Sequence, residues 1–300
     1  MTSPRIIPGS EQHRTMITAS KIGAIFGVDP YTTPAQLWGM MHGISTPPEP
    51  NAAMMRGHIQ EASILDWFYR MEHPELTKLA GETTWMNPNL DWCCANTDSH
   101  ARTPDGEIVF VEAKSIARPN STWGKPGTEE VPENYWLQVQ FQMGLTHHID
   151  GEEVTLTYLV KHGPYVDQYD VYPIAYSPLA FAEIVRRADE FRQLTECPPP
   201  TAHREEHRFF AKFHPDIDRD LDWEINESLA TAYIASSEAV KTAQAEESRA
   251  KAEILKAMGK ARTATCNGVT VAYRRETKTG ISLYPPQRKP TIEDITKKAA

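Results

Sequence analysis

Residues 95–115 read ANTDSHARTPDGEIVFVEAKS. The turn in the middle decides how the two halves face each other. Thr103-Pro104-Asp105-Gly106-Glu107 has proline at the first loop position and glycine at the third, the pattern of a three-residue hairpin loop in which glycine takes the left-handed conformation. Pairing Thr103 with Glu107 then sets Asp98 directly across from Glu112. Lys114 lies two residues further on that same face, while Val109, Val111 and Ala113 point the other way, toward a core. Facing Cβ atoms in such a pair are about 5 Å apart, so two carboxylates and an amine converge.

Two carboxylates that close repel unless a cation lies between them, and oxygen ligands suit a hard divalent ion, Mg²⁺ or Mn²⁺. Such an ion lowers the pKa of a bound water and polarises a phosphoryl oxygen, and a lysine beside it can hold the attacking water and help deprotonate it. A solvated Glu–Lys pair on an exposed strand face explains the same residues equally well. Asp105 belongs to the turn, where aspartate is favoured for its local hydrogen bonds.

The bulk composition sets the frame. Three hundred residues, 40% hydrophobic and 24% charged, fit a soluble globular chain with a sizeable core. No apolar run is long enough to cross a bilayer, and the polar start MTSPRIIPGSEQ is no signal peptide. The four cysteines, at 93, 94, 197 and 266, form no CxxC pair, so neither a disulfide framework nor a cysteine metal cage is expected, which suits a reducing cytoplasm. With a net charge of −9, nucleic-acid binding would need a local basic groove or a metal site.

Along the chain, residues 18–26 read as a short helix capped by Thr18 and stopped by Gly27. A second helix opens at Thr33-Pro34. The stretch MMRGHIQEASILDWFYRM carries apolar residues at helical spacing. Strands are expected at about 83–86, 92–101 and 107–115 from alternation, then a helix over ENYWLQVQFQMGLT, strands EVTLTYLVK and VDQYDVYPIA, and a helix opened by Ser177-Pro178. The run Cys197-Pro-Pro-Pro200 is the best domain boundary. The expectation is an α/β core over residues 1–200, one central mixed sheet flanked by helices. Residues 201–300 form an extension: a long helix or helical hairpin rich in Ala, Glu and Lys, a small Asn-Gly hairpin and a loose tail.

The order of these features resembles the PD-(D/E)xK superfamily with its restriction-endonuclease-like core, and more narrowly the lambda-exonuclease/YqaJ family of phage recombination nucleases. Four segments carry the resemblance over residues 14–195: ITASKIGAIFGVDPYTTPAQLW, RGHIQEASIL, NTDSHARTPDGEIVFVEAKS and YWLQVQFQMGLT. It implies that Asp98, Glu112 and the Ala113 carbonyl ligate the metal, that Glu61 on the preceding helix helps hold it, and that Lys114 is the catalytic lysine. Gln138 matches the glutamine beside the active site. Ser20 matches the serine that helps bind the terminal phosphate, and Arg14, or its neighbour His13, the arginine that precedes it. Met41-His42 departs from the family, where lysine is common.

The resemblance further implies a Mg²⁺- or Mn²⁺-dependent exonuclease, running 5′ to 3′ on linear double-stranded DNA and resecting ends for recombination. Its partners would be duplex ends, further copies in a ring such as a trimer, and a single-strand annealing protein. The setting would be the cytoplasm of a bacterial host, with the chain phage- or prophage-encoded and no membrane contact. A PD-(D/E)xK endonuclease of restriction or repair type is the alternative, and a non-catalytic DNA-binding adaptor on the same fold is the third reading. The presence of Glu61, Asp98, Glu112 and Lys114 together argues against the adaptor. His147-His148 reads as a helix-end pair, the Lys/Glu pattern from 238 to 256 as a solvated helix face, and Trp67, Trp92 and Trp136 as core.

Overall fold

A computed structural model of the chain describes residues 10–296 apart from 11–13, 48, 118–121, 147–152, 166, 204–205, 279 and 287–288. His13 and the His147-His148 pair lie outside the described residues. The chain divides into two compact units, Met1–Ile217 and Asp218–Ala300.

The first unit begins with β1 (Ile17–Thr18), a 3₁₀ turn (Ala19–Lys21), α1 (Ile22–Ile25), α2 (Pro34–Met41) and α3 (Ala52–Trp67), which ends in a π-helical turn. Strands β2 (Thr77–Ala80), β3 (Thr83–Asn87), β4 (Leu90–Thr97), β5 (Ser99–Arg102) and β6 (Ile108–Ser115) follow. Then come α4 (Glu133–Thr146), β7 (Val154–His162), β8 (Tyr169–Ala175), α5 (Pro178–Arg192) and α6 (Glu206–Phe210). Local chemistry starts several of these helices. Thr33 and Gln36 close a reciprocal capping box on α2, Asn51 caps α3, and the Ser177 side chain accepts from the Ala180 amide at the start of α5.

The central mixed sheet has the order β2-β5-β6-β7-β8, with β6 and β7 parallel and the other neighbours antiparallel. Helix α4 makes the crossover that a parallel pair requires. Strand β6 is buried on both faces from Ile108 to Glu112. Val109 and Val111 pack with Ile64, Leu65 and Phe68 of the α3 region, and Ile108 and Phe110 pack with Met143 of α4.

Within residues 17–115, three features differ from the sequence expectations. The expected strand 92–101 breaks at Asp98: β4 pairs with β3 and with β1 in a separate sheet, while β5 joins the central one. Strands β1 and β2 were not expected, one being two residues long and the other, TKLA, lacking apolar alternation. The expected helix over 18–26 is two short pieces, and the Thr18 side chain makes no cap; its hydroxyl lies 3.1 Å from that of Ser20.

The first unit also runs past the proline run. Glu206, 2% exposed, accepts from the Thr201 hydroxyl at 2.7 Å. Phe209 is buried against α2, so closely that a Cβ on Gly39 would sit 2.5 Å from its ring. Trp38 of the same helix stacks near Phe213, with ring centroids 6.5 Å apart.

In the second unit, Asn226 caps a single helix, α7 (Glu227–Met258), and no residue of that helix is buried. A three-stranded antiparallel sheet follows, β9 (Thr263–Cys266), β10 (Val269–Thr277) and β11 (Gly280–Tyr284). Asn267 and Gly268 form its first turn, both at positive φ (49° and 77°), as a two-residue hairpin of this type requires. Strand β11 and the short α8 (Ile292–Thr296) replace the single hairpin and loose tail expected there.

Phe209→Ala should destabilise the first unit by about 3–5 kcal/mol, the usual cost of emptying a buried phenylalanine site. Denaturant unfolding followed through the tryptophans measures it, and a loss below about 1 kcal/mol would show that residues 201–217 add little to that unit.

Candidate active site

The turn behaves as its sequence requires. The Thr103 amide donates to Glu107 O at 2.9 Å, the Gly106 amide donates to Thr103 O at 3.0 Å, and Gly106 has φ +94°. Asp105 is exposed in that turn. The register follows, with Ser99 opposite Val111 and Ala101 opposite Val109. Asp98 itself sits in the bend, and its side chain takes over from the ladder: Oδ2 accepts from the Ala113 amide at 2.8 Å.

Glu112 is 4% exposed and faces α4. A buried carboxylate is costly unless paired, and here each oxygen is held. Oε1 accepts from Lys114 Nζ at 2.7 Å and from Gln138 Nε2 at 2.6 Å, and Oε2 accepts from Gln142 Nε2 at 2.9 Å. Gln138 Oε1 in turn accepts from Lys114 Nζ at 3.2 Å, and the ammonium lies 5.0 Å from the Tyr135 ring centroid. Gln138 and Gln142, one helical turn apart, thus present their amides on one side of α4.

The electrostatics agree with this crowding. Burial, and then Glu112, pushes the Asp98 carboxyl well above the usual carboxylate range. Burial, and then Glu112, also raises Glu61 on α3. For Lys114 burial acts downward, but Glu112 and Asp98 outweigh it, so its pKa lies above the ordinary lysine value and the side chain is an ammonium.

Among the described residues, no three acidic, histidine or cysteine side chains converge as a ready-made metal cage. The donor chemistry nevertheless fits a hard divalent cation: the acidic groups offer only oxygens, and the charged forms of Asp98 and Glu61 are disfavoured by burial and by Glu112, which a cation would reverse.

Other residues set this geometry without appearing among the expected ones. Gln142 is fully buried and also donates to Asn96 O at 2.7 Å, so it ties β4, just before the bend, to Glu112. Its signal in the sequence was the run of glutamines at 138, 140 and 142 in an otherwise apolar helix. Gln60 Oε1 accepts from Arg56 Nε at 2.8 Å and from Ser115 Oγ at 2.6 Å, while Arg56 also donates to Gly163 O at 3.1 Å. This chain fastens the helix bearing Glu61 to the end of the strand bearing Lys114.

Arg14 and Ser20 line one cavity of about 410 Å³ together with Lys21, Asp29 and an apolar wall that includes Leu37 and Met40. Lys21 donates to Arg14 O at 2.8 Å and to Met16 O at 2.6 Å, fixing the segment that carries Arg14. His42 stacks on Trp38 at 4.1 Å and its Nδ1 lies 2.9 Å from Trp38 O. Trp67 stacks on Tyr169, and Trp92 and Trp136 pack against the core.

Residues 10–148 match the model of the YqaJ-like viral recombinase domain. That segment holds Glu61, Asp98, Glu112, Lys114 and Gln138. No curated protein matches the chain. Similar solved structures include an alkaline exonuclease from Laribacter hongkongensis, 20% identical with a TM-score of 0.43 over 59% of this chain and 86% of that one. A phage-related exonuclease from Haemophilus somnus is 13% identical, with a TM-score of 0.41 over 59% and 92%. A putative exonuclease from Eubacterium rectale is 11% identical, with a TM-score of 0.43 over 77% and 99%. No helix among the described residues is long and apolar enough to cross a membrane.

Burial lowers the Lys21 pKa from 10.5 to about 8. Below pH 8 the ammonium is charged in both the folded and unfolded chain and its burial costs stability. Between pH 8 and 10.5 the unfolded chain holds more protons, so stability rises with pH. Relative to Lys21→Met, the wild type should gain up to about 3 kcal/mol across that window. Urea unfolding of both proteins at several pH values tests this, and parallel pH profiles would contradict it.

Proposed function

We propose that this protein is a deoxyribonuclease, an exonuclease that hydrolyses phosphodiester bonds at the ends of linear double-stranded DNA in a 5′ to 3′ direction, with Mg²⁺ or Mn²⁺ as cofactor. The observation that carries the reading is the clasped Glu112: a buried carboxylate beside Asp98, with an ammonium and two amides fixing its oxygens. Asp98, Glu112 and the Ala113 carbonyl would hold the cation, with Glu61 as an additional oxygen donor from α3.

When bound there, a divalent cation polarises the phosphoryl oxygen, acidifies a water and offsets the negative field that keeps Lys114 protonated. The rest belongs to the chain. Lys114 donates hydrogen bonds and can orient the attacking water against the scissile phosphate. Gln138 holds both Lys114 and Glu112, so the amine and the carboxylate keep their spacing. The Ala113 amide fixes Asp98 and leaves Oδ1 for a ligand.

The cavity with Arg14, Ser20 and Lys21 supports end recognition. Its cationic side chains and hydroxyl suit a terminal phosphate, and a bidentate arginine contact adds geometric selection. That observation favours an exonuclease over an endonuclease. The role in phage-type recombination, the annealing partner and assembly into a ring such as a trimer belong to the same proposal, as does a bacterial cytoplasmic setting. So does a division of labour in which the first unit carries the nuclease and the second, Asp218–Ala300, serves assembly or a partner.

Asp98→Ala, Glu112→Ala and Lys114→Ala should each abolish Mg²⁺-dependent degradation of linear duplex. Lys114→Arg should not restore it, because a guanidinium neither fits the same contacts nor gives up a proton. Asp105→Asn should retain activity, since asparagine serves the turn as well. Release of acid-soluble nucleotides, with EDTA as control, reads all of these; substantial activity in any of the alanine variants would remove that residue from the site.

Degradation should be faster on 5′-phosphorylated than on 5′-hydroxyl linear duplex, by roughly tenfold to a hundredfold for one charge-assisted contact. The difference should shrink in Arg14→Ala and Ser20→Ala. Equal rates in the wild type, or rapid nicking of closed circles, would favour the endonuclease reading.

A further inference from the structure

The second unit carries a feature that the nuclease chemistry does not use. Residues 260–289 contain seven basic residues and one acidic one, Glu276, in a chain whose net charge is −9. Two of the seven, Arg274 and Arg275, lie on β10 with Glu276, and the pairing register puts Arg275 on one face of the sheet β9–β10–β11 and Arg274 and Glu276 on the other. Tyr273 is opposite both Tyr284 and Thr263, Arg275 is opposite Ser282, and Thr277 is opposite Gly280. One face therefore presents Tyr273, Arg275, Thr277, Ser282, Tyr284 and Thr263. The other carries Ala272, which is buried, with Arg274 and Leu283.

The two arginines differ in what they do. Arg274 donates to Gly259 O at the end of α7. Arg275 is exposed, and its guanidinium lies over both tyrosine rings, 5.9 Å from the Tyr273 centroid and 5.6 Å from that of Tyr284. Among the described residues no carboxylate is paired with it. The arginines of α5, by contrast, are each paired with acidic neighbours, as Arg186 is with Glu183 and Glu190.

We infer that this face binds single-stranded nucleic acid. An unpaired cation suits a phosphate, and two aromatic rings beside it suit bases that are free to stack; a duplex hides its base faces and would use only the charge. Hydroxyls on the same face, from Thr263 and Ser282, add donors for phosphate and sugar. An acidic protein would be attracted by the charge but would gain little from two rings set across strands from each other. Strand-separated DNA is the class of ligand that uses both features.

The test measures binding of fluorescein-labelled oligothymidine to the full chain by anisotropy in EDTA, over a range of salt concentrations. EDTA stops metal-dependent cleavage, so the result does not depend on the proposed nuclease mechanism. The double variant Tyr273→Ala/Tyr284→Ala should weaken binding about tenfold or more, and Tyr273→Phe/Tyr284→Phe should bind as the wild type does. Arg275→Ala should lower the slope of log affinity against log salt by about 0.7, the value for one phosphate of a single strand, and Arg275→Lys should keep the slope. Wild-type affinity and slope in both alanine variants would overturn the inference. So would duplex binding as tight as oligothymidine binding that is insensitive to the tyrosines, since that describes a surface reading charge alone. Thermal unfolding of each variant checks the fold, and the phenylalanine pair keeps the test decisive if the alanine pair unfolds.

Discussion

A carboxylate in the middle of a buried strand must be neutralised or fully hydrogen-bonded, and the first unit is arranged around that requirement at Glu112. Strand β6 is covered on one face by α3 and on the other by α4, which removes the group from bulk solvent. Lys114 supplies the charge from the same strand face, and Gln138 and Gln142 supply one amide for each oxygen. An apolar helix could cover β6 as well as α4 does, but could not solvate Glu112. The glutamines therefore make α4 part of the candidate site as well as part of the core.

The same economy of bonds explains the bend at Asp98. Where β4 leaves one sheet and β5 enters another, a backbone ladder must stop, and an amide would be left without an acceptor. The Asp98 carboxylate accepts from Ala113 N–H in place of a carbonyl. One side chain thus terminates a sheet and stands beside Glu112. Gln142, bonded to Asn96 O just before the bend, holds that junction from the other side. Substitutions here act on strand geometry and on charge together, so stability and activity must be measured side by side.

Charge is divided unevenly along the chain. The acidic excess of the whole sequence coexists with a basic stretch at 260–289, and the structure of the second unit turns part of that stretch into one polar, aromatic sheet face. Net charge alone therefore describes this chain poorly as a nucleic-acid ligand. Local fields set by sheet register matter more than the sum, because screening confines the effect of each charge to roughly a Debye length of about 10 Å.

The sequence by itself determined features that depend on a few consecutive residues. The Pro-Asp-Gly turn imposed the β5–β6 register, strand alternation put Glu112 and Lys114 on one face, Asn267-Gly268 imposed a hairpin, and Thr33 with Gln36 began a helix. These follow from φ preferences and short-range hydrogen bonds, which neighbours in sequence settle. Tertiary structure alone decided that the expected strand splits at Asp98 and that Gln142 completes the clasp on Glu112. It also placed Lys21 in the cavity with Arg14 and Ser20, and carried the first unit on to Ile217 through Phe209. Each of those depends on burial against residues far away in the chain, such as Phe209 against Gly39 or Gln142 against Asn96. The desolvation of a polar group, and the partner that relieves it, exist only once those distant segments have packed together.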